Sequence, residues 1–389
     1  MRRRLGAVGM VTLGLCMAVG CSGLRVAPPS VPRVQWGTEG GSAQRSQHTP
    51  TAVQPPLTEV WRYGARAGFG HASPLLTDTA VIVATRRGEV HAIDRVTGKR
   101  LGAKGFGDAI EGTPVTAGDQ LYVPAAWGRR ALYAYDLRAG RTSWTYRGPY
   151  VKAGLTLSTS HLIVANEEGG LQAFDPQTGA VRWSTSLGEG VSVIAAPALI
   201  PGGPLVVVTE QGDVAAFDPE TGALLWQQRL LPSFQESVAA WQDQVYVAST
   251  RGRLTALEAV HGRPRWAWSH PDSTVRLTAP AIDSTALVVA GTDGVVRMFD
   301  PADGSDRWTY AAPEAITAPP LLTPTTVLVG GLDHQLHVLD RATGRVLQQL
   351  TLTGRVKSPL AAHDGQVVVL AEPDVVFLFE PTEPDDADR

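Results

Sequence analysis

The sequence predicts an all-β protein, an eight-bladed β-propeller, and three observations carry this prediction. One motif recurs seven times, in which an apolar strand ends in Asp or Glu and a Gly follows four residues later. The acidic positions lie 39 to 43 residues apart, and a fixed period near forty, filled with short strands and turns, is typical of propellers. Finally, residues 60–63 resemble an outer strand without inner strands before it, whereas 375–380 resemble a third strand without an outer one. Together these ends form one blade, so the N-terminal strand is expected to complete the last blade and close the ring.

Each repeat is expected to form four strands, ordered from the central axis outward. In the first repeat these are a short inner strand at 73–76, a continuously apolar strand at 80–84, a third strand at 90–94 and an outer strand after Gly98. The Asp carboxylate that ends the third strand can accept backbone N–H groups, and the Gly can adopt the positive φ that ends the turn. We therefore expect a structural turn role for Asp94 and Gly98, Asp136 and Gly140, Asp175 and Gly179, Asp218 and Gly222, Asp300 and Gly304, and Asp340 and Gly344.

A Trp usually follows four residues after the Gly, on the predicted outer strand. An indole at this position can bury roughly 200 Å² between two sheets. Five rings spread around a rim cannot converge on one ligand, so a packing role between neighbouring blades is favoured. The predicted blade-packing residues are Trp144, Trp183, Trp226, Trp266 and Trp308, together with Trp61 on the N-terminal strand.

The N-terminus carries a predicted export signal. Three Arg residues precede an apolar stretch at 5–19, and small residues precede Cys21. This stretch is short for a transmembrane helix. It resembles the bacterial lipoprotein signal, which implies removal of residues 1–20 and lipidation of Cys21. Ser22 rather than Asp follows the Cys, and by the same resemblance this favours the outer membrane. Ordinary secretion, with cleavage near Ala18 or Gly20, remains the alternative.

The mature chain is predicted to have three parts. Residues 21–56 are rich in Pro, Ser, Gln, Thr and Gly and lack strand periodicity, which predicts a lipidated flexible tether with a reach of about 30 Å. Residues 57–381 would form the propeller, and 382–389 an acidic, solvated tail. The other cysteine, Cys16, lies in the segment to be removed, so no disulfide is expected. The formal net charge of −3 argues against a nucleic-acid-binding surface.

The sequence contains few residues in patterns that indicate catalysis. No nucleophile, phosphate-binding or zinc-hydrolase motif is present, and we predict no enzyme activity, no cofactor and no metal site. The repeat nevertheless resembles that of the pyrroloquinoline-quinone (PQQ) dehydrogenases, which hold the quinone with a calcium ion ligated partly by Asn and acidic side chains. The mature chain has a single Asn, Asn166, and no Cys pair. A PQQ-dependent dehydrogenase remains an alternative.

The same repeat in a lipoprotein of this length, without a disulfide, resembles the BamB family. That resemblance implies a noncatalytic, monomeric subunit of the machinery that folds β-barrels into the outer membrane. It would be lipid-anchored on the periplasmic side and would dock on the periplasmic domains of a BamA-like barrel insertase. In the family a loop with Leu and Arg between middle blades makes such a contact, and the corresponding segment 186–191 contains Leu187 but no Arg. A scaffold of another envelope complex would have the same sequence features.

A partner surface is predicted on the face that carries the connections between blades. Charged turns ring this face, and apolar residues lie in the connections beyond the needs of blade packing. These side chains could contact a partner, or they could pack beneath the connections. The predicted partner-binding residues are Leu187, Val191, Leu230, Leu231 and Phe234.

Overall fold

The computed structural model describes residues 23–26, 34–230 and 233–382. The predicted fold is confirmed: the described chain forms eight antiparallel sheets arranged as the blades of a propeller. The predicted signal segment 1–20 and Cys21 lie outside the described residues, as does the acidic tail from 383 onward.

Each blade is a meander whose strands run in order from the channel to the rim. Before the first blade come β1 (Val34–Trp36) and β2 (Leu57–Gly64). Blades one and two contain β3 (Leu75–Thr77), β4 (Ala80–Ala84), β5 (Glu89–Asp94), β6 (Arg100–Gly105), β7 (Val115–Ala117), β8 (Gln120–Pro124), β9 (Leu132–Asp136) and β10 (Arg141–Tyr146). Blades three and four contain β11 (Thr156–Leu157), β12 (Leu162–Ala165), β13 (Gly170–Phe174), β14 (Val181–Ser186), β15 (Ala198–Leu199), β16 (Leu205–Val208), β17 (Asp213–Phe217) and β18 (Leu224–Arg229).

The second half of the ring repeats this pattern. Blades five and six contain β19 (Ala239–Trp241), β20 (Gln244–Ala248), β21 (Arg253–Glu258), β22 (Pro264–Ser269), β23 (Ala281–Ile282), β24 (Leu287–Ala290), β25 (Val295–Phe299) and β26 (Asp306–Ala311). Blade seven contains β27 (Leu321–Leu322), β28 (Thr326–Gly330), β29 (Gln335–Asp340) and β30 (Val346–Thr351). The last sheet contains β31 (Arg355–Val356), β32 (Ala361–His363), β33 (Gln366–Glu372) and β34 (Val375–Pro381).

The N-terminal strand closes the ring, as the sequence predicts. β2 pairs antiparallel with β34, from Leu57 opposite Pro381 to Gly64 opposite Val375. Blade eight therefore consists of β32, β33, β34 and β2, and the short β31 adds to the far end of β33. Closure pairs the two strand edges that an open array would leave exposed.

The hydrophobic core lies between neighbouring blades. The second strands are buried on both faces, as in β4, where all five residues are buried. One cluster joins Val206 of blade four to Val245 of blade five and also contains the rim residue Trp226. Each blade thus buries its faces against its two neighbours, and the core grows blade by blade.

The repeated Asp, Gly and Trp form a joint between adjacent blades. In blade four, the Asp218 carboxylate accepts the amides of Glu220 and Thr221 at 2.9 and 2.8 Å. The indole of Trp183 from blade three lies on Gly222, where a Cβ would come within 2.5 Å of the ring. Six indole N–H groups donate to the carbonyl of the residue after the acidic position in the next blade. The pairs are Trp61 to Arg95, Trp144 to Pro176, Trp183 to Pro219, Trp226 to Ala259, Trp266 to Pro301 and Trp308 to Arg341, at 2.8 to 3.1 Å.

The segment before the propeller requires a correction. A flexible tether is predicted over 21–56, but residues 36–49 cross one end of the central channel and bond to its inner strands. Trp36 pairs with Leu76 of blade one. Five inner-strand amides donate to the carbonyls of this segment, in blades two, four, five, six and seven. They are Thr116 to Gly37, Leu199 to Ala43, Ala240 to Gln44, Ile282 to Ser46 and Leu322 to Gln47, at 2.8 to 2.9 Å. We call residues 36–49 the channel plug.

A buried guanidinium holds the plug in place. Arg45 is 1% exposed, and it donates to Thr38, to the Glu39 carbonyl, and to Leu155, Thr156 and Pro197 of blades three and four. These five hydrogen bonds span 2.5 to 3.2 Å. Burial lowers the pKa of Arg45, and the nearby Glu39 carboxylate opposes this shift. Because a buried charge is stable only when its donors are paired, these bonds fix the course of the plug.

The plug defines two different faces of the disc. Its inner-strand partners lie next to the turns between first and second strands, which are on the same side as the Asp turns. We call this side the turn face and the opposite side, with the inter-blade connections, the connection face. The channel is therefore closed at the turn face and open at the connection face.

Gly222→Ala is expected to be much more destabilising than Gly202→Ala. Both glycines have positive φ, 72° and 68°, so each Ala costs about 1–2 kcal/mol of backbone strain. At Gly222 the new Cβ also meets Trp183, whereas at Gly202 nothing lies within 4 Å. Overpacking adds about 1–3 kcal/mol. Urea denaturation measures the free energy of unfolding, and equal losses in the two variants would contradict the role of the joint.

Arg45→Met is expected to destabilise the protein by about 3–5 kcal/mol, because five acceptors, three of them in buried hydrogen bonds, lose their donor. Arg62→Met is the matched control, since Arg62 is an exposed cation paired with Glu59 on β2; its denaturation midpoint should not change. A midpoint for Arg45→Met equal to that of the parent protein would show that the plug contributes nothing to stability.

Candidate partner-docking face

The open end of the channel forms a charged funnel on the connection face. Its cavity measures about 300 Å³, and Glu39 of the plug lies at its floor, where the carboxylate accepts the Ser237 hydroxyl at 2.6 Å. Around the wall each blade contributes side chains, most of them charged. They include His71, Glu111, Lys152, Ile194, Glu236, Arg276, Thr317 and Lys357.

The pKa of one carboxyl group in the funnel is strongly raised. Burial, and then the negative charge of Glu39, raises the pKa of Glu236 to about 7, although the Arg276 guanidinium acts in the opposite direction. Glu236 is therefore partly protonated near neutral pH, whereas an ordinary Glu is ionised. Because Glu236 gains or loses its proton near pH 7, the net charge of the funnel changes around neutral pH.

An exposed aromatic group lies beside the funnel, between blades two and three. Trp127 is 45% exposed and occupies the turn between β8 and β9. Its ring centroid lies 5.1 Å from that of Tyr150 and 5.1 Å from the Lys152 ammonium. Lys152 also pairs with Glu167 of blade three at 2.6 Å. We call Trp127, Tyr150, Lys152 and Glu167 the Trp127 patch.

Trp127 is not among the contact residues predicted from the sequence, although the sequence contains a signal for it. Seven residues separate β8 from β9, whereas four separate β4 from β5. Trp127 thus lies in an extended turn, away from the repeated rim position that six other Trp residues occupy. An aromatic residue that has no counterpart in the other repeats is not explained by blade packing.

The predicted contact residues need a correction at Phe234. Phe234 is only 4% exposed and packs in the core between blades four and five. Leu230 is half-buried against the same cluster, and Leu231 lies outside the described residues. Leu187 and Val191 are half-buried at the connection after blade three. The apolar connection residues therefore mainly fill the gaps beneath the connections.

The Trp127 patch continues toward Leu187 through one turn of blade three. The Glu167 amide donates to the Tyr150 carbonyl at 3.4 Å, and the Leu187 amide donates to the Gly169 carbonyl at 2.9 Å. Asn166 starts this turn, and its side-chain oxygen accepts the amides of Glu168 and Gly170 at 3.0 and 2.9 Å. The single Asn of the sequence thus holds a turn.

Other polar groups also have structural partners. Asp300 accepts the Ala302 amide and pairs with Arg307, and buried His337 pairs with Asp333 at 3.0 Å. In the described part of the chain, no three His, Cys, Asp or Glu side chains are grouped so that they could hold a metal ion. None of the described residues forms a helix long and apolar enough to span a membrane.

Comparison with known proteins identifies the family. A family model described as outer membrane protein assembly factor BamB matches residues 51–208, 167–318 and 292–383. The chain belongs to the BamB family. BamB from Yersinia pestis is 25% identical over 83% of this chain and 88% of its own length. The crystal structure of BamB from Moraxella catarrhalis superimposes with a TM-score of 0.69 at 21% identity, covering 85% of this chain and 99% of that one.

The fold also resembles that of an enzyme. Quinohemoprotein alcohol dehydrogenase from Comamonas testosteroni has a TM-score of 0.75 at 14% identity, over 92% of this chain and 82% of the enzyme. At this identity the likeness shows a shared propeller fold alone.

Glu236→Gln is expected to stabilise the protein at alkaline pH. Because its pKa is raised from 4.5 to about 7, the folded state retains the Glu236 proton over a pH range in which the unfolded state has lost it. The parent free energy of unfolding therefore falls as pH rises through this range. The variant should be about 3 kcal/mol more stable at pH 8 and equally stable at pH 4. Denaturation across this range measures both, and parallel pH profiles would contradict the shift.

Proposed function

We propose that this protein is a noncatalytic scaffold of the machinery that assembles β-barrel proteins in the outer membrane. Membership in the BamB family supports this role, and the family description names outer membrane protein assembly. A lipid on Cys21 would hold the protein at the periplasmic face of the membrane. The charged start, apolar stretch and Cys of the N-terminus support that anchor.

The Trp127 patch is the proposed docking site for the partner. Trp is enriched among residues that dominate binding energy, since it buries a large area at little entropic cost. Here an exposed Trp ring already contacts Tyr150 and Lys152, so its orientation is set before binding. The ion pair of Lys152 with Glu167 supplies the polar rim that surrounds such anchors. The partner would be the periplasmic domains of a BamA-like barrel insertase.

The proposed mechanism is positional. The closed ring, the blade joints and the channel plug restrict the movement of the blades, so a partner bound at one sector is held at a fixed angle to the rest of the disc. Preorganisation of this kind reduces the entropy lost on binding. The turn of blade three, which joins the patch to Leu187, would extend the contact toward blade four.

Trp127→Ser is expected to weaken recovery of the insertase. The tagged protein is crosslinked in intact cells, the envelope is solubilised, and co-purified proteins are identified and quantified. Loss of a central Trp costs about 2 kcal/mol or more, so affinity should fall by about thirtyfold. Leu224→Ser is the matched control, because Leu224 is 54% exposed on an outer strand away from the patch.

The outcomes separate the alternatives. Recovery of the insertase by the parent and the control, but not by Trp127→Ser, supports the proposal. A different reproducible partner would retain the scaffold and reject the pathway. Quinone-dependent dye reduction by the purified protein would reject the noncatalytic role.

A further inference from the structure

The joint between blades one and two lacks its Trp. Four residues after Gly98 the chain has Gly102, at the position that Trp occupies in the five blades that follow. Residues 23–26 lie in the vacated space, between blades one and two. A Cβ on Gly102 would come within 2.9 Å of the Gly23 carbonyl oxygen and 3.0 Å of the Leu24 Cα. The short segment therefore fits only because position 102 has no side chain.

The segment reproduces the contacts of the missing indole. The Val26 amide donates to the Leu137 carbonyl at 3.2 Å, and Leu137 follows Asp136 as the indole acceptors follow the acidic residue in the other joints. Leu24 is fully buried, and the Tyr135 hydroxyl donates to its carbonyl at 2.9 Å. The Arg25 side chain covers Gly140, the glycine on which an indole would lie.

This arrangement shortens the connection to the proposed anchor. Only Ser22 lies between Gly23 and Cys21, so the two residues are two steps apart, and an extended chain spans at most about 3.6 Å per step. A lipid on Cys21 would therefore be attached within about 7 Å of Gly23. The predicted tether over 21–56 would have allowed the disc to lie in any orientation, whereas a connection through Ser22 alone would hold the joint of blades one and two at the membrane.

Exposed cations outnumber carboxylates at the two rim turns of this joint, whose acidic residues are the half-buried Asp94 and Asp136. Arg25 is exposed beside Gly140, and two further pairs of exposed cations flank the adjoining turns: Lys99 and Arg100, and Arg138 and Arg141. Among the described residues, Arg138 alone of these five cations lies within 4.0 Å of a carboxylate, that of Asp119. At the corresponding turn of blade three, by contrast, Arg182 is paired with Asp175. Val96, which is 78% exposed, adds an apolar side chain to the basic cluster.

We propose that the rim of blades one and two is a membrane-facing surface that lies against anionic phospholipid headgroups. This inference rests on the lipid anchor of the proposed function. Each Lys or Arg at an anionic surface contributes about 1 kcal/mol, a factor of about five in partition. The channel opens on the opposite face of the disc, so the funnel and the Trp127 patch remain accessible to a partner.

The test measures the distance of two rim sites from the bilayer. Lipidated full-length protein is bound to vesicles of phosphatidylethanolamine and phosphatidylglycerol that contain headgroup-nitroxide lipid. A fluorophore is attached to Val96→Cys or to Ala302→Cys, which occupies the same turn position in blade six. The introduced thiol is unique, because Cys21 carries the lipid and Cys16 is removed with the signal. Quenching should be several times stronger at position 96 than at 302.

Three further variants show whether the joint and the charges cause this difference. Gly102→Trp restores the indole and expels the segment, so the difference should vanish while the protein stays on the vesicles; Leu24→Asp should have the same effect by removing the buried side chain. Gly105→Trp is the matched control, because nothing lies within 4 Å of its Cβ. The double change of Arg138→Glu and Arg141→Glu should reduce the difference.

Vesicle flotation separates this inference from the proposed function. Protein that floats and is quenched equally at both sites has a lipid anchor but no fixed orientation, which overturns the inference alone. Protein that does not float has no anchor, and the proposed function and the inference then fail together. A difference that survives Gly102→Trp in a correctly folded protein would also overturn the proposal.

Discussion

The contact of a rim indole with the glycine of the next blade is the constraint on which the rest of the structure depends. It joins sheets that have no hydrogen-bonded strand pairing with each other, and it requires three things at once. The Asp carboxylate accepts a backbone amide of the turn, and the indole ring packs on the Cα of the glycine. The carbonyl of the residue after the Asp accepts the indole N–H. Each joint involves only two neighbouring blades, so the same contact recurs once in every repeat. The period of about forty residues in the sequence results from this repetition.

The two joints that lack this indole are completed by the N-terminal chain. At blade seven Gln348 occupies the Trp position, and its side-chain amide bonds to both the amide and the carbonyl of Leu57 at 2.7 and 2.9 Å. At blade one residues 23–26 fill the space above Gly102. Between these points the channel plug bonds to the inner strands. The segment before the blades thus belongs to the propeller, and under the proposed function it would also determine where the lipid anchor leaves the disc.

The blades could be predicted because their contacts repeat, whereas the plug could not. Strand order, ring closure and the joints follow from the spacing of residues such as Asp218, Gly222 and Trp226. The plug bonds through its backbone, and backbone bonding leaves no periodic pattern in the side chains. Its Gly and Ser residues therefore indicated a tether. The burial of Arg45 could not be predicted, because the sequence does not show that carbonyls from two blades converge on it.

The sequence places the proposed docking face among the inter-blade connections, but it does not show which residues there are exposed. Connections have no periodicity that separates buried from exposed side chains, so Phe234 and Trp127 could not be distinguished by pattern. In the structure Phe234 fills a gap beneath its connection, whereas Trp127 lies on a longer turn and its side chain is exposed. Whether an aromatic ring in a connection is exposed therefore depends on tertiary packing, which the sequence pattern does not show.

Site-specific photocrosslinking in intact cells tests the central claim most directly, that the connection face at blades two and three docks on the assembly machinery. A photoreactive amino acid is placed at Trp127 and, separately, at Leu224, which is also exposed. The account predicts a covalent adduct with a periplasmic domain of the barrel insertase from position 127 and none from position 224. Insertase adducts of equal yield from both positions, or an insertase adduct from position 224 alone, would contradict it.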